Sequence, residues 1–189
     1  DDGFKAAIAY CQNVDPLVSG NCFGEIAAAK NDVTICEKYM EYDLFGLCHT
    51  YVARAQKNPV ACQNLPTGDK ERCYTEVAVA AEDIKICDKI PDPRGTGYIK
   101  SECYEMVGWK LHDPKICPKI VDEWKRASCY EDVAVNRSDT SFCATMANDI
   151  SKESCFSAVA EATKDPTVCD ISKNQEIIDA CYRVVAKAT

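Results

Sequence analysis

Fourteen cysteines recur along this chain at a beat of about 26 residues, and such a beat marks a repeat array. They are Cys11, Cys22, Cys36, Cys48, Cys62, Cys73, Cys87, Cys103, Cys117, Cys129, Cys143, Cys155, Cys169 and Cys181. Taken in pairs, a first cysteine is followed by a second after 11, 12, 11, 16, 12, 12 and 12 residues. From each second cysteine to the next first one the separation is always 14. Repeat arrays work through shape and surface, so no partner is named by the pattern itself.

An even number of regularly spaced cysteines points to a disulfide framework and an oxidising compartment. With 189 residues, 47% of them hydrophobic, the chain can build an ordinary core. The opening Asp1-Asp2-Gly3 reads as a mature product freed of an export signal, which places it outside the cell or at its surface. No run approaches 18 apolar residues, so no membrane span is expected. The net charge of −8 argues against nucleic acid, whose binding needs a basic stripe, and against anionic lipid surfaces.

Aligned on the cysteines, the chain forms seven repeats: 1–30, 31–57, 58–82, 83–112, 113–138, 139–164 and 165–189. Four residues before the first cysteine stands Asp or Asn in six of them: Asp32, Asn58, Asp83, Asp113, Asp139 and Asp165. Pro59, Pro114 and Pro166 follow three of these, and such a pair is a helix-start signal. A helix of about two turns is therefore predicted at each Asp.

The second cysteine is followed at once by an aromatic ring: Phe23, His49, Tyr74, Tyr104, Tyr130, Phe156 and Tyr182. Four residues on stand Ile26, Val52, Val77, Val107, Val133, Val159 and Val185. Five residues on stand Ala27, Ala53, Ala78, Gly108, Ala134, Ala160 and Ala186. These offsets share one helical face, and the small residue points to close backbone approach. Each repeat is thus predicted to be a helical hairpin. The chain is predicted to be all-α, a single domain over 1–189 in which seven hairpins stack as an α-solenoid, a rod on the order of 60–70 Å long.

Height along the helices predicts the pairing. Both cysteines of one repeat lie about a turn into their helices, so they face each other across the hairpin. Across the 14-residue segment the heights differ by roughly 7 Å, too far for a bridge. The expected bridges are Cys11–Cys22, Cys36–Cys48, Cys62–Cys73, Cys87–Cys103, Cys117–Cys129, Cys143–Cys155 and Cys169–Cys181.

The string Cys-Tyr-x-x-Val-Ala followed by Asp-Pro-x-x-Cys is carried over Cys103–Cys117 with Gly108 for Ala, and over Cys155–Cys169 with Phe156 for Tyr. It resembles a cysteine-rich helical repeat of exported proteins, largely archaeal and bacterial, over nearly the whole chain. It is more loosely similar to disulfide-stapled Sel1-like and tetratricopeptide solenoids. The resemblance implies architecture and export and brings no catalytic residue.

Chemistry-bearing motifs are scarce. Zinc sites favour closely spaced pairs such as C-x₂-C, and haem attachment needs C-x-x-C-H; neither occurs. His49 falls at the aromatic position of its repeat and is expected to pack, and His112 is expected to be solvated at a helix end. The acidic pairs Asp122-Glu123 and Glu131-Asp132 are read as solvated helix faces rather than acid–base pairs. No catalytic residue, cofactor or metal is expected.

Surface candidates remain: the longer connection Pro91–Tyr98, the aromatic connection Tyr39–Phe45, and the sequon at Asn136, which could carry a glycan. Phe4, Ile8, Tyr182 and Val185 are candidate contacts for head-to-tail joining, Thr189 of one copy meeting Asp1 of the next. The expected function is a non-enzymatic extracellular structural protein, a self-assembling filament or surface-layer subunit. The alternative is a monomeric secreted scaffold for a peptide, protein or glycan.

Overall fold

The computed structural model describes residues 2–40, 42–93 and 95–188. Asp1, Glu41, Arg94 and Thr189 lie outside the described residues, as do the side chains of Leu17, Tyr42, Asp43 and Leu44. The Thr189-to-Asp1 junction and the centre of the Tyr39–Phe45 connection therefore fall outside the described residues.

The fold is all-α, with ten α-helices, four 3₁₀ turns and no strand among the described residues. It divides into two compact units, Asp1–Gly95 and Thr96–Thr189, and the boundary falls inside the long connection of the fourth repeat. The first unit holds α1 (Asp2–Gln12), α2 (Pro16–Lys30), α3 (Thr34–Tyr39), α4 (Tyr42–Ala55) and α5 (Thr67–Ala81), with 3₁₀ turns at Pro59–Cys62 and Ile84–Lys89. There α2 packs on α4 and α4 on α5. The second unit holds α6 (Tyr98–Leu111), α7 (Glu123–Arg137), α8 (Ser141–Ala144), α9 (Asp149–Thr163) and α10 (Gln175–Ala188), with 3₁₀ turns at Cys117–Lys119 and Pro166–Ile171. There α6 packs on α7, α7 on α9 and α9 on α10. No described helix is long and apolar enough to cross a membrane.

The constant 14-residue segment has a local cause. It carries the chain from a long helix into the next turn through one fixed motif. Nine residues past each second cysteine the backbone enters the left-handed region, at Asn31, Lys57, Glu82, His112, Ser138 and Lys164, with φ between 47° and 56°. One residue further, the Asp or Asn N–H donates back to the carbonyl of the small residue at offset five. Asp32 donates to Ala27 (2.9 Å), Asn58 to Ala53 (2.9 Å), Asp83 to Ala78 (3.1 Å), Asp139 to Ala134 (2.9 Å) and Asp165 to Ala160 (3.1 Å). This is the Schellman arrangement that closes a helix C-terminus.

The same Asp or Asn then turns its side chain forward. Its Oδ1 accepts the N–H two residues on, from Thr34, Val60, Lys85, Lys115, Ser141 and Thr167, at 2.9–3.0 Å. One residue type thus closes one element and opens the next, and no residue can be inserted without breaking both. The variable spacing lies in the hairpin connections.

The opening elements differ from the predicted two-turn helices. In four repeats they are 3₁₀ turns, and α3 and α8 span only six and four residues. The same side-chain cap opens both forms, α3 and α8 included, and the tighter i→i−3 bond marks the 3₁₀ turns. Ile86 donates to Asp83 (3.1 Å), Ile116 to Asp113 (3.0 Å) and Val168 to Asp165 (3.3 Å).

Six bridges join cysteines of one repeat: Cys11–Cys22, Cys36–Cys48, Cys62–Cys73, Cys117–Cys129, Cys143–Cys155 and Cys169–Cys181. Their Cα atoms stand 5.5–5.7 Å apart throughout, so every hairpin closes to the same width. Cys87 and Cys103 are also disulfide-bonded, and no described cysteine is free.

The predicted face of the long helices is buried. Val52, Val77, Val107, Val133 and Val159 are almost wholly enclosed, with Ala27, Ala53, Ala78, Ala134 and Ala160 beside them. A further core position stands three residues past the first cysteine, where Leu65, Ile90, Ile120 and Met146 are buried.

Candidate functional site

Most chemistry-bearing side chains are occupied with holding the hairpins. Asp122 caps α7: its carboxylate accepts the Lys125 N–H at 3.0 Å. That bond foremost, with the Tyr98 side chain also donating, holds its carboxyl below the usual range. Asp132 accepts from Asn136 Nδ2 at 3.1 Å and meets His112 Nδ1 at 2.7 Å. His112 is therefore not merely solvated at its helix end. It sits in the left-handed residue that closes α6, and its carbonyl accepts from Arg137. These partners tie α6 to α7.

His49 is buried and its ring lies against Phe45, with centroids 3.9 Å apart. Burial lowers its pKa, partly offset by Glu37. Glu105 is buried beside Lys125 at 3.3 Å, and burial pushes its carboxyl up against the pull of that ammonium. No cluster of three or more His, Cys, Asp or Glu among the described residues could hold a metal ion.

Asn136 is exposed near the end of α7, with Nδ2 bound to the Asp132 carbonyl at 2.9 Å. Of the candidate junction residues, Ile8 and Val185 are buried within their own units. Phe4 is half-buried, with the Lys30 ammonium 5.5 Å from its ring centre. Tyr182 is 40% exposed and its hydroxyl donates to Asp170 at 2.9 Å. Four candidate contacts thus reduce to two with accessible surface. In the long connection, Gly95 and Gly97 take positive φ of 64° and 71°, and a Cβ on Gly97 would meet Val121 at 2.9 Å.

The exposed apolar side chains of the second unit show an order that the alignment above did not reveal. Five residues before the second cysteine stand Tyr98, Trp124 and Ile150 in three successive repeats, 58%, 67% and 72% exposed. Each sits in the first turn of its long helix, α6, α7 and α9, and these helices pack in that sequence. The Val121 N–H, just before α7, donates to Ser101 Oγ in the first turn of α6 at 3.0 Å, so these helix starts adjoin. Val121 and Ile171, 56% and 47% exposed, lie in the turns beside the same helix starts. One edge of the second unit is therefore an apolar ladder with rungs about 8–10 Å apart, the spacing of packed helices. In the third and seventh repeats the same position holds Gly68 and Glu176. The shared offset is present in the sequence, but its exposure on one edge is set by the packing of the helices. Its residues vary in type, so only their shared position carries the signal.

No protein-family model, curated protein or solved structure matches this chain.

Proposed function

We propose that this protein is an exported, non-enzymatic scaffold that holds a partner polypeptide against the apolar edge of its second unit. The ladder of Tyr98, Trp124 and Ile150 carries this reading. Large apolar side chains left in water at one register of consecutive repeats are unfavourable unless something covers them. Exposed Trp and Tyr are also the residues that dominate binding energy at protein interfaces. The fully bridged cysteines fit an oxidising, extracellular setting, where a stapled frame keeps such an edge fixed.

A second reading is end-to-end self-assembly into a filament or layer. It is favoured by Tyr182, exposed at a position where Phe23, Tyr74, Tyr104 and Phe156 are buried. That ring presents a face suited to a following hairpin.

A photo-crosslinking amino acid at Trp124, at Tyr182 or at exposed Glu82, introduced in the native host, separates the readings. A single discrete adduct from position 124 that is not this chain supports the scaffold. Adducts between copies of the chain, formed from position 182, support assembly. Yields at 124 no higher than at 82 would remove the edge from consideration.

A further inference from the structure

Thirteen of the cysteines are almost wholly enclosed, none of them more than 2% exposed. Cys22 differs: it is only half-buried, at the margin of its core cluster. The difference has a structural cause. In later repeats the bridge packs with the small residue five past the preceding second cysteine. Ala27 clusters with Cys36 and Cys48, Ala134 with Cys143 and Cys155, and Ala160 with Cys169 and Cys181. A Cβ on Gly108 would stand 3.2 Å from Cys129 Sγ. Among the described residues α2 is the first of the long helices, so no such residue stands over Cys11–Cys22.

The face around Cys22 is open to match. Val18 and Ile26 lie one turn to either side of it on α2. Val18 is 52% exposed. Ile26 is half-buried, at the position where Val52, Val77, Val107, Val133 and Val159 are enclosed. Cys22 stands well inside α2, where the helix takes up the backbone, so the surface it shows is chiefly side chain. Thiol–disulfide exchange requires a thiolate to reach one sulfur, and access decides which bridge reacts.

We propose that Cys22 is a thiol-attachment site, at which a small aliphatic thiol is joined to the protein while the other bridges stay closed. The thiolate attacks Cys22 Sγ in line with the Cys11–Cys22 bond. A new S–S bond forms to Cys22, the old one breaks, and the electron pair leaves on Cys11 Sγ. The incoming sulfur is oxidised, the Cys11 sulfur is reduced, and Cys11 then takes a proton from water. The helices keep their places, because Ile8 stays buried and the Ser19 hydroxyl donates to the Cys11 carbonyl at 2.9 Å. The site belongs to the first unit and does not depend on the apolar edge of the second.

The test exposes the folded, oxidised protein to graded 2-mercaptoethanol at mildly alkaline pH. Freed thiols are trapped with N-ethylmaleimide, and peptides are mapped without reduction. The mercaptoethanol adduct should appear on Cys22 and the maleimide on Cys11, about tenfold or more faster than any label elsewhere. Helical circular dichroism should be unchanged when that adduct has formed. In denaturing urea the preference should vanish, since every bridge is then open to the thiol. The proposal is overturned by an adduct on Cys11 instead, by another bridge opening as fast, or by loss of helix along with the first adduct. A preference that persists in urea also overturns it, because local sequence and not the open face would then set the order.

Discussion

The residue that does most for this fold is the Asp or Asn at the head of each repeat, because its backbone closes one helix and its side chain opens the next turn. Asp139 and Asp165 accept from the hydroxyl and the N–H of Ser141 and Thr167, in that order of effect, and both carboxyls are held below their ordinary value of 3.8. A carboxyl depressed in the folded state stabilises it above the unfolded pKa, and that contribution is lost as pH falls through the folded value. The melting temperature should therefore be flat from neutrality to about pH 5 and fall below about pH 4. Glu105 works in the opposite sense, since a raised folded value means that its stabilising share grows on acidification. Asn58 does not titrate, so Asn58→Ala should cost about 0.5–2 kcal/mol across that whole range. Thermal melts from pH 7 to 2 check both, and a melting temperature unchanged at the acid end would contradict the role given to the caps. The left-handed residue before each cap is never glycine, and such a conformation costs an L-residue about 1–2 kcal/mol. Glu82→Gly should stabilise by about 0.5–1 kcal/mol once the added freedom of the unfolded chain is subtracted. Urea unfolding midpoints measure the change.

At the scale of elements, the long helices follow their sequence pattern and the short ones do not. A face set by offsets from the second cysteine is deep in the core because a buried stripe at helical spacing has one way to be covered. The opening elements are too short for propensity to decide, and the one side-chain cap starts 3₁₀ and α forms alike. The turn's own core residue went unread, because Val14, Tyr39, Leu65, Ile90, Ile120, Met146 and Ser172 share no residue type. Only the hairpin geometry shows that this position faces inward. Ile120 is fully buried there, so Ile120→Ala should destabilise by about 2–5 kcal/mol, close to a long-helix core substitution such as Val133→Ala. An exposed change such as Val121→Ala should cost within about 0.5 kcal/mol. Denaturant unfolding of the three proteins compares them directly, and a cost at Ile120 as small as that at Val121 would disprove the turn's part in the core.

Over the whole molecule, small cores are supported by covalent closure. Each described bridge closes a loop of 11 or 12 residues, worth about 3 kcal/mol in the chain-entropy view. Such contributions are not additive, yet their loss together exceeds the usual net stability of a domain. Reduction should therefore abolish the cooperative melt and open the chain to protease. A reduced protein with an unchanged melting temperature would show that packing alone suffices.

The sequence by itself determined the all-helical fold, the repeat and its register, because each is written in residues that recur at fixed offsets and act locally. Cysteine spacing set the hairpins, the Asp or Asn cap set the constant segment, and the face after the second cysteine set the core. The edge needed the tertiary structure. Tyr98, Trp124 and Ile150 lie 26 residues apart and differ in kind, and only the packing of α6, α7 and α9 brings them to one side. Local bonds fix elements, whereas a surface exists only after distant elements have been packed side by side.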